Sequence, residues 1–353
     1  MTKYILRRLA LIPLTLFGIM AVNFLFAQLA PGGPVEHIAA KLQNDPQSAK
    51  ISASGAVSSK YRGAQGLDPA LIKELEHRFG FDKPALTRFA LMMKNYVLFD
   101  FGKSFYRDAD VIGLIKEKMP VSVSLGLWTT LIIYLVSIPL GIAKAVHDGS
   151  KFDAATGWAV IVGYAIPAFV FAMALIVLFC GGRYLHWFPL RGLTSDNWDE
   201  LSTVGKIKDY FWHLAMPVAS MVAGGFAGLT MLTKNSFLEE ISKQYVLTAR
   251  AKGLDEYKIL YGHVFRNAML IVIAGFPAVL VGMLFTGSVL IEVIFSLDGI
   301  GLLGFESVLT RDYPVVFGTL YLFGLIGLVL NLVCDLTYHW VDPRIDFGGR
   351  NNA

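Results

Sequence analysis

Tyr245–Asn267 reads YVLTARAKGLDEYKILYGHVFRN, a polar and basic insert between two long apolar runs at about 213–232 and 269–294. Phe237, Leu238, Ile241, Tyr245 and Ala249 recur at helical spacing before Gly253, and Tyr257, Leu260, Tyr261, Val264 and Phe265 make a second stripe after it. Gly253 stands where a helix takes a left-handed C′ residue, and Asp255 is placed to accept from the free N–H groups of the following helix. The pattern predicts a helix, a sharp corner and a second helix. Both are too short to cross a bilayer, so their apolar stripes need a protein surface to cover them. The basic residues Lys243, Arg250, Lys252, Lys258 and Arg266 decide less, because any cytoplasmic loop of a membrane protein collects such charges.

Outward from this insert the chain is apolar. Of its 353 residues 55% are hydrophobic and 16% charged, outside the usual soluble range. A membrane span needs roughly 20 apolar residues, and the stretches at about 9–30, 121–143, 155–179, 213–232, 269–294 and 316–337 meet that length. The fold expected is all-α, with six transmembrane helices. Lys3, Arg7 and Arg8 precede an apolar run that imitates a secretory signal but is too long for one, so it reads as an uncleaved first helix with a cytoplasmic N-terminus. That orientation places 233–268 and the tail 338–353 in the cytoplasm and 31–120 outside. Arg311 is the one basic residue of the last outward loop, 296–314, against Asp298, Glu306 and Asp312, as the positive-inside rule requires. The domain order is then 1–30, an outward segment 31–120, a membrane core 121–337 and a short tail.

Within the outward segment, Asp68, Pro69 and Gly80 bracket a helix with Leu71, Ile72, Leu75 and Phe79 on one face. A second helix follows Pro84, with Leu86, Phe89, Met93 and Tyr96 on its face, and a third starts near Asp110. Two nucleotide-like motifs fail. Gly102-Lys103-Ser104 ends like a P-loop but has Val97 where the first glycine belongs, and Gly299, Gly301 and Gly304 satisfy G-x-G-x-x-G only after a membrane helix. Cys180 and Cys334 map to opposite faces of the membrane, too far apart for a disulfide. The histidines, His37, His77, His147, His186, His213, His263 and His339, fall in loops or at span ends, which argues against an intramembrane hydrolase. Pro139, Pro167, Pro217 and Pro277 bend or break helices, and Gly224 and Gly228 form a GxxxG pair for close helix packing. Charges are nearly absent from mid-span, with Glu292 and Asp335 near span ends, and neither inverted repeats nor a broken midplane helix is legible. Both absences count against an ion-coupled secondary transporter.

Thr248-Ala249-Arg250-Ala251-Lys252-Gly253 and His263-Val264-Phe265-Arg266-Asn267-Ala268 resemble the EAA-type coupling loop of ABC importer permeases, most closely in the oligopeptide and dipeptide branch. Leu247 stands where the Glu that names the motif would be. Similar matches run along the chain: Tyr4-Ile5-Leu6-Arg7-Arg8-Leu9, Ala30-Pro31-Gly32-Gly33-Pro34, Phe79-Gly80-Phe81-Asp82-Lys83-Pro84, Asp100-Phe101-Gly102-x-Ser104, Arg311-Asp312-Tyr313-Pro314-Val315 and Val341-Asp342-Pro343-Arg344. Phe99 replaces the glycine usual before Asp100. The insert before Tyr61-Arg62-Gly63-Ala64-Gln65-Gly66-Leu67-Asp68-Pro69 is similar to the Yej-type permeases of peptide and microcin C importers. The resemblance implies a bacterial inner-membrane permease subunit, not itself an enzyme, that moves peptides by alternating access. It implies a second homologous permease, cytoplasmic ABC ATPase subunits or a fused two-domain ATPase that bind ATP and Mg, and a periplasmic peptide-binding protein, which the outward segment 31–120, being large, partly helical and on the delivering side, is expected to contact. On that reading Tyr245, Thr248, Ala249, Arg250, Ala251, Lys252, Gly253, Leu254 and Asp255 form the ATPase-coupling loop. The chain would hold no catalytic residue, metal, cofactor or nucleic acid, and its substrate path is not legible.

Overall fold

The computed structural model describes residues 2–29, 73, 76–77, 81–181, 184–285 and 289–341. The 30–34 turn, the residues after Val341 and all of the expected helix over 68–79 except residues 73, 76 and 77 lie outside these. Among the described residues the chain is helical, and its single backbone bridge joins Lys103 to Asp110. The helices are α1 (Thr2–Leu29), α2 (Ala85–Val97), α3 (Val111–Val146), α4 (Lys151–Ala165), α5 (Ala168–Leu175), α6 (Thr203–Ile241), α7 (Gln244–Ala251), α8 (Glu256–Ile259), α9 (Phe265–Phe285), α10 (Val289–Ile294), α11 (Ile300–Thr310) and α12 (Tyr313–Val341). Among the described residues five helical stretches are long and apolar enough to cross a membrane, and α4 with α5 are a bent pair that makes a sixth when taken as one span. The described residues fall into two compact units, one of 118–302 with 329–341 and one of 2–117 with 303–328.

In the first unit α3 is patterned as the reverse of a soluble helix. Ser122, Thr129, Ser137 and Lys144, spaced seven or eight apart and so on one face, are buried, while Leu127, Leu131 and Leu135 are exposed. A helix with hydrocarbon around it gains nothing by hiding leucines. It gains by turning hydroxyls inward to acceptors: Ser137 Oγ donates to Phe226 O at 3.0 Å on α6. The two helices touch at Gly141, where a Cβ would sit 2.6 Å from Thr233 Cβ and 2.8 Å from Thr230 O. The expected GxxxG contact is not where this closeness falls, since a Cβ at Gly224 would only reach Ala168 at 3.8 Å and one at Gly228 nothing within 4 Å.

The run 155–179 does not form the single helix expected of it. Proline forces the preceding residue out of the helical region; Ile166 is extended at φ −89°, ψ 118°, and Pro167 caps α5. The axis turns by 91° there, and α5 finishes in a π turn over Ile176–Cys180. A broken helix is therefore present, contrary to the sequence reading. His213 corrects a second expectation. It is buried within α6, its Nδ1 2.9 Å from Asp209 O.

Glu292 on α10 is fully buried and takes up the turn that follows it. Its Oε1 accepts from Ser122 Oγ at 2.7 Å and its Oε2 from Leu302 N at 2.8 Å, while Ile300 N donates to Ser122 Oγ at 2.9 Å. A Cβ at Gly299 or Gly301 would lie 2.5 Å and 2.8 Å from this carboxylate. Those two glycines of the G-x-G-x-x-G pattern are thus accounted for as a cradle for the buried Glu292 carboxyl group.

In the second unit α1 buries Leu16 and Met20, and Phe24 meets Phe89 at 5.2 Å and Phe317 at 6.1 Å between ring centres. The covered face of α2 is Phe89, Met92, Met93 and Tyr96; Leu86, assigned to it by periodicity, is 84% exposed, so the face begins only at the second turn. Asp312 clamps the 100–107 turn, accepting from Ser104 Oγ and, at 3.0 Å, from Phe105 N. Two sequence motifs 208 residues apart are joined by this one carboxylate.

Candidate functional site

The Tyr245–Asn267 insert folds as a corner. α6 runs beyond its expected end to Ile241, and Ser242 and Lys243 make the break before α7. α7 then closes with a Schellman motif in which Gly253 N donates to Arg250 O at 2.9 Å and Leu254 N to Ala249 O at 3.3 Å. This geometry requires the left-handed region, and Gly253 is at φ +77°. Asp255 caps α8, its Oδ2 accepting from Tyr257 N at 3.1 Å. Arg250 reaches across the corner to Glu256 in a two-point pair, Nε–Oε1 2.6 Å and Nη2–Oε2 3.0 Å. After one turn α8 widens into a π turn, Leu260–Val264, that delivers the chain into α9.

The corner rests on its own scaffold. Val246, Ala249, Ile259 and Val264 are buried with Phe237 of α6, Ile142 and Ala145 of α3, and Ala268 and Val272 of α9. Tyr245 is half-buried, its hydroxyl donating to Glu240 Oε2 at 2.7 Å and accepting from Asn267 Nδ2 at 3.4 Å; burial pushes the phenol pKa up. Lys243 pairs with Glu240, which raises its pKa. Of the nine residues assigned to the coupling loop, Tyr245 and Ala249 therefore face inward. Thr248, Arg250, Ala251, Lys252, Gly253, Leu254 and Asp255 are exposed, and Leu247, Tyr257 and Tyr261 add apolar surface beside them at 53%, 69% and 46% exposure. The tip combines exposed aliphatic and aromatic groups with cations, a composition suited to contact with another protein. A groove of about 350 Å³ runs under it, lined by Val146, Ile241, Arg250, Tyr257 and Leu260 among others.

Next to the corner lies a charge network that the sequence did not disclose. Lys144, 1% exposed, is bound by Asp153 Oδ1 at 2.8 Å, Asp153 O at 2.7 Å and Thr156 Oγ1 at 3.0 Å. Lys234 pairs with Asp153 at 2.7 Å and with Asp148 at 2.8 Å. Three helices, α3, α4 and α6, are thereby tied beside the residues that carry the corner. The sole hint in the sequence was Lys144 falling on the hydroxyl-bearing face of α3.

A family model described as the inner membrane component of binding-protein-dependent transport systems matches residues 137–347, which include the whole corner. The chain belongs to this family. It is 60% identical to the peptidoglycan transport system permease protein YejB of Agrobacterium fabrum over 99% of this chain and 100% of that one. It is 56% identical to the inner membrane ABC transporter permease protein YejB of Escherichia coli O157:H7 over the same shares. The oligopeptide transport system permease protein AppB of Bacillus subtilis is 32% identical over 98% of this chain and its own full length. The chain is thus a multi-pass permease, the membrane part of an ABC importer rather than an enzyme. Membership also separates it from secondary transporters, a distinction that the bend at Pro167 would otherwise leave open.

Proposed function

We propose that this permease carries peptides inward across the bacterial inner membrane, paired with a second permease and driven by cytoplasmic ATPase subunits that hold the ATP and Mg. A periplasmic peptide-binding protein delivers the cargo to the outward side, to which 31–120 belongs. The relatives' names support peptides as the substrate class, and peptides derived from peptidoglycan are the first to test within it; peptide antibiotics of the microcin C type are a further member of that class. The exposed tip of the 245–255 corner is the surface offered to the ATPase. What carries this reading is that Leu247, Leu254 and Tyr257 stay exposed on an otherwise polar loop whose backbone is rigidly closed by capping bonds. ATP-driven closure of the ATPases would then bias a two-state equilibrium of the spans.

The test is reconstitution. The permease, expressed with its partner subunits, should co-purify with an ATPase, and loaded binding protein should raise ATP turnover together with uptake of a labelled peptide. ATP turnover that peptide never stimulates, with no uptake from any peptide mixture, would refute the proposal.

A further inference from the structure

The 13 residues of α2 are too few to cross a bilayer, yet its covered face rests on helices that do. Phe89 meets Phe17 at 5.6 Å and Phe24 at 5.2 Å between ring centres, and Tyr96 meets Tyr321 edge-on at 5.5 Å. Phe17 and Phe24 precede Leu29, where α1 ends, by twelve and five residues, or about 18 and 8 Å at 1.5 Å per residue. Tyr321 stands eight residues, about 12 Å, beyond the start of α12. All of these residues belong to the second unit. Helix α2 therefore lies below the ends of α1 and α12, not above them, at the level where the exposed Val22, Leu25 and Phe26 of α1 meet hydrocarbon.

The surface of α2 is sorted along the same direction. Arg88 reaches toward the end of α1, its Nη2 donating to Gln28 Oε1 at 2.7 Å, and Asn95, seven positions on, shares its line. Leu86, Ala90 and Val97 stand two, two and nine positions from Arg88, which at about 100° per residue puts all three within about 20° of the opposite line. These three are exposed, Leu86 by 84% and Val97 by 66%. One edge of the helix thus points to the membrane surface and carries polar groups, and the edge facing the bilayer centre carries aliphatic ones. Lys94, about 120° from Arg88, falls on the flank, and its stem is long enough to lift the ammonium to the headgroups. The depth also has a limit: Pro84 offers no side chain to cap the first turn, so the free N–H groups there need water or headgroups.

We infer that α2 is an interfacial helix, lying in the leaflet that holds the C-terminal end of α1, with Leu86, Ala90 and Val97 among the acyl chains and Arg88 and Asn95 at the headgroups. Its partner is lipid, and it is removed from the surface open to a soluble binding protein. The inference is independent of the cargo. The test uses the assembled transporter in proteoliposomes, with Cys180 and Cys334 replaced by alanine and one nitroxide carried on Leu86→Cys, Ala90→Cys, Val97→Cys or Asn95→Cys. Collisions with oxygen, which dissolves in hydrocarbon, and with a water-soluble nickel chelate give the depth of each label. Those at 86, 90 and 97 should lie about 5–10 Å below the headgroup boundary, and the one at 95 at or above it. Free access of the chelate to 86, 90 and 97 would place α2 in water and overturn the inference. Exclusion of both reagents would overturn it too, since a second permease, the binding protein or another part of this chain would then cover the face. The unaltered transporter gives a second readout. With a phospholipid that carries a diazirine part-way along its acyl chain, illumination should attach lipid to the peptide 85–97; labelling of α1 without labelling of that peptide would refute the placement.

Discussion

Replacing Gly253 by valine tests the corner directly. A Cβ built at Gly253 meets nothing within 4 Å, so the substitution causes no collision and its whole cost arises from the backbone. Holding an L-residue at φ +77° costs about 1–2 kcal/mol, and a β-branched residue raises this toward 3 kcal/mol. The chain can escape by leaving the left-handed region, but it then loses the Gly253–Arg250 and Leu254–Ala249 bonds, each worth about 1 kcal/mol. Either way the penalty is about 2–3 kcal/mol, enough to displace the exposed tip in most molecules at 1.4 kcal/mol per tenfold change in population. The spans are packed elsewhere, and the Val246–Val264 cluster lies on the other side of the loop helices, so insertion and protein level should hold. In proteoliposomes Gly253→Val should show ATP turnover that loaded binding protein no longer stimulates, and uptake reduced at least tenfold. Asparagine tolerates the left-handed region, so Gly253→Asn should retain most activity and alanine should fall between. Normal stimulated turnover in the valine variant would remove the corner from the mechanism, and asparagine failing as badly as valine would show that φ is not the cause.

Two further outcomes follow from the packing. Gly301→Ala should destabilise the purified protein by about 1–3 kcal/mol, because its Cβ would fall 2.8 Å from Glu292 Oε2 and 2.9 Å from Val289 Cα, whereas Gly304→Ala, with nothing within 4 Å, should melt like the parent; equal melting temperatures would refute the cradle. Lys144→Met should cost about 3 kcal/mol by stripping a buried partner from Asp153, and the double variant with Asp153→Leu should melt above the additive expectation for the two single variants; strict additivity in the thermal melts would mean that the two groups do not interact.

Much of the fold was legible because hydrocarbon imposes a coarse rule. A run of about 20 apolar residues must be helical and must span, whatever its neighbours do, and the six runs found from length alone correspond to five long helices and one bent pair. What length could not give was the interior of a run. Pro167 was visible, but whether a proline kinks a helix or divides it depends on whether the freed carbonyls find other partners, and those partners lie on other helices. The same limit applies to Gly224 and Gly228, which carry the motif, while the tight approach falls on Gly141 because Thr230 and Thr233 happen to face it.

The corner was legible to the level of single residues for a different reason. Its capping chemistry is local: a glycine at C′ and an aspartate two residues later determine φ, the reversal and the next N-cap without reference to the rest of the chain. Burial is not local: Tyr245 and Ala249 were assigned to the ATPase-coupling loop together with their neighbours, yet both are turned toward the chain's own scaffold. The charge network at Lys144, Asp148, Asp153 and Lys234 is the extreme case, since its members lie up to 90 positions apart on three helices and the turn between α3 and α4, and each alone reads as a loop or span-end charge. A network of this kind is a weak source of net stability, because desolvating Lys144, Asp153 and Lys234 offsets their attraction. What such a network does supply is a definite register: the two lysines and two aspartates are satisfied together in one arrangement of α3, α4 and α6, and that arrangement sets where Ile142 and Ala145 meet Val246 and Ala249 beneath the corner.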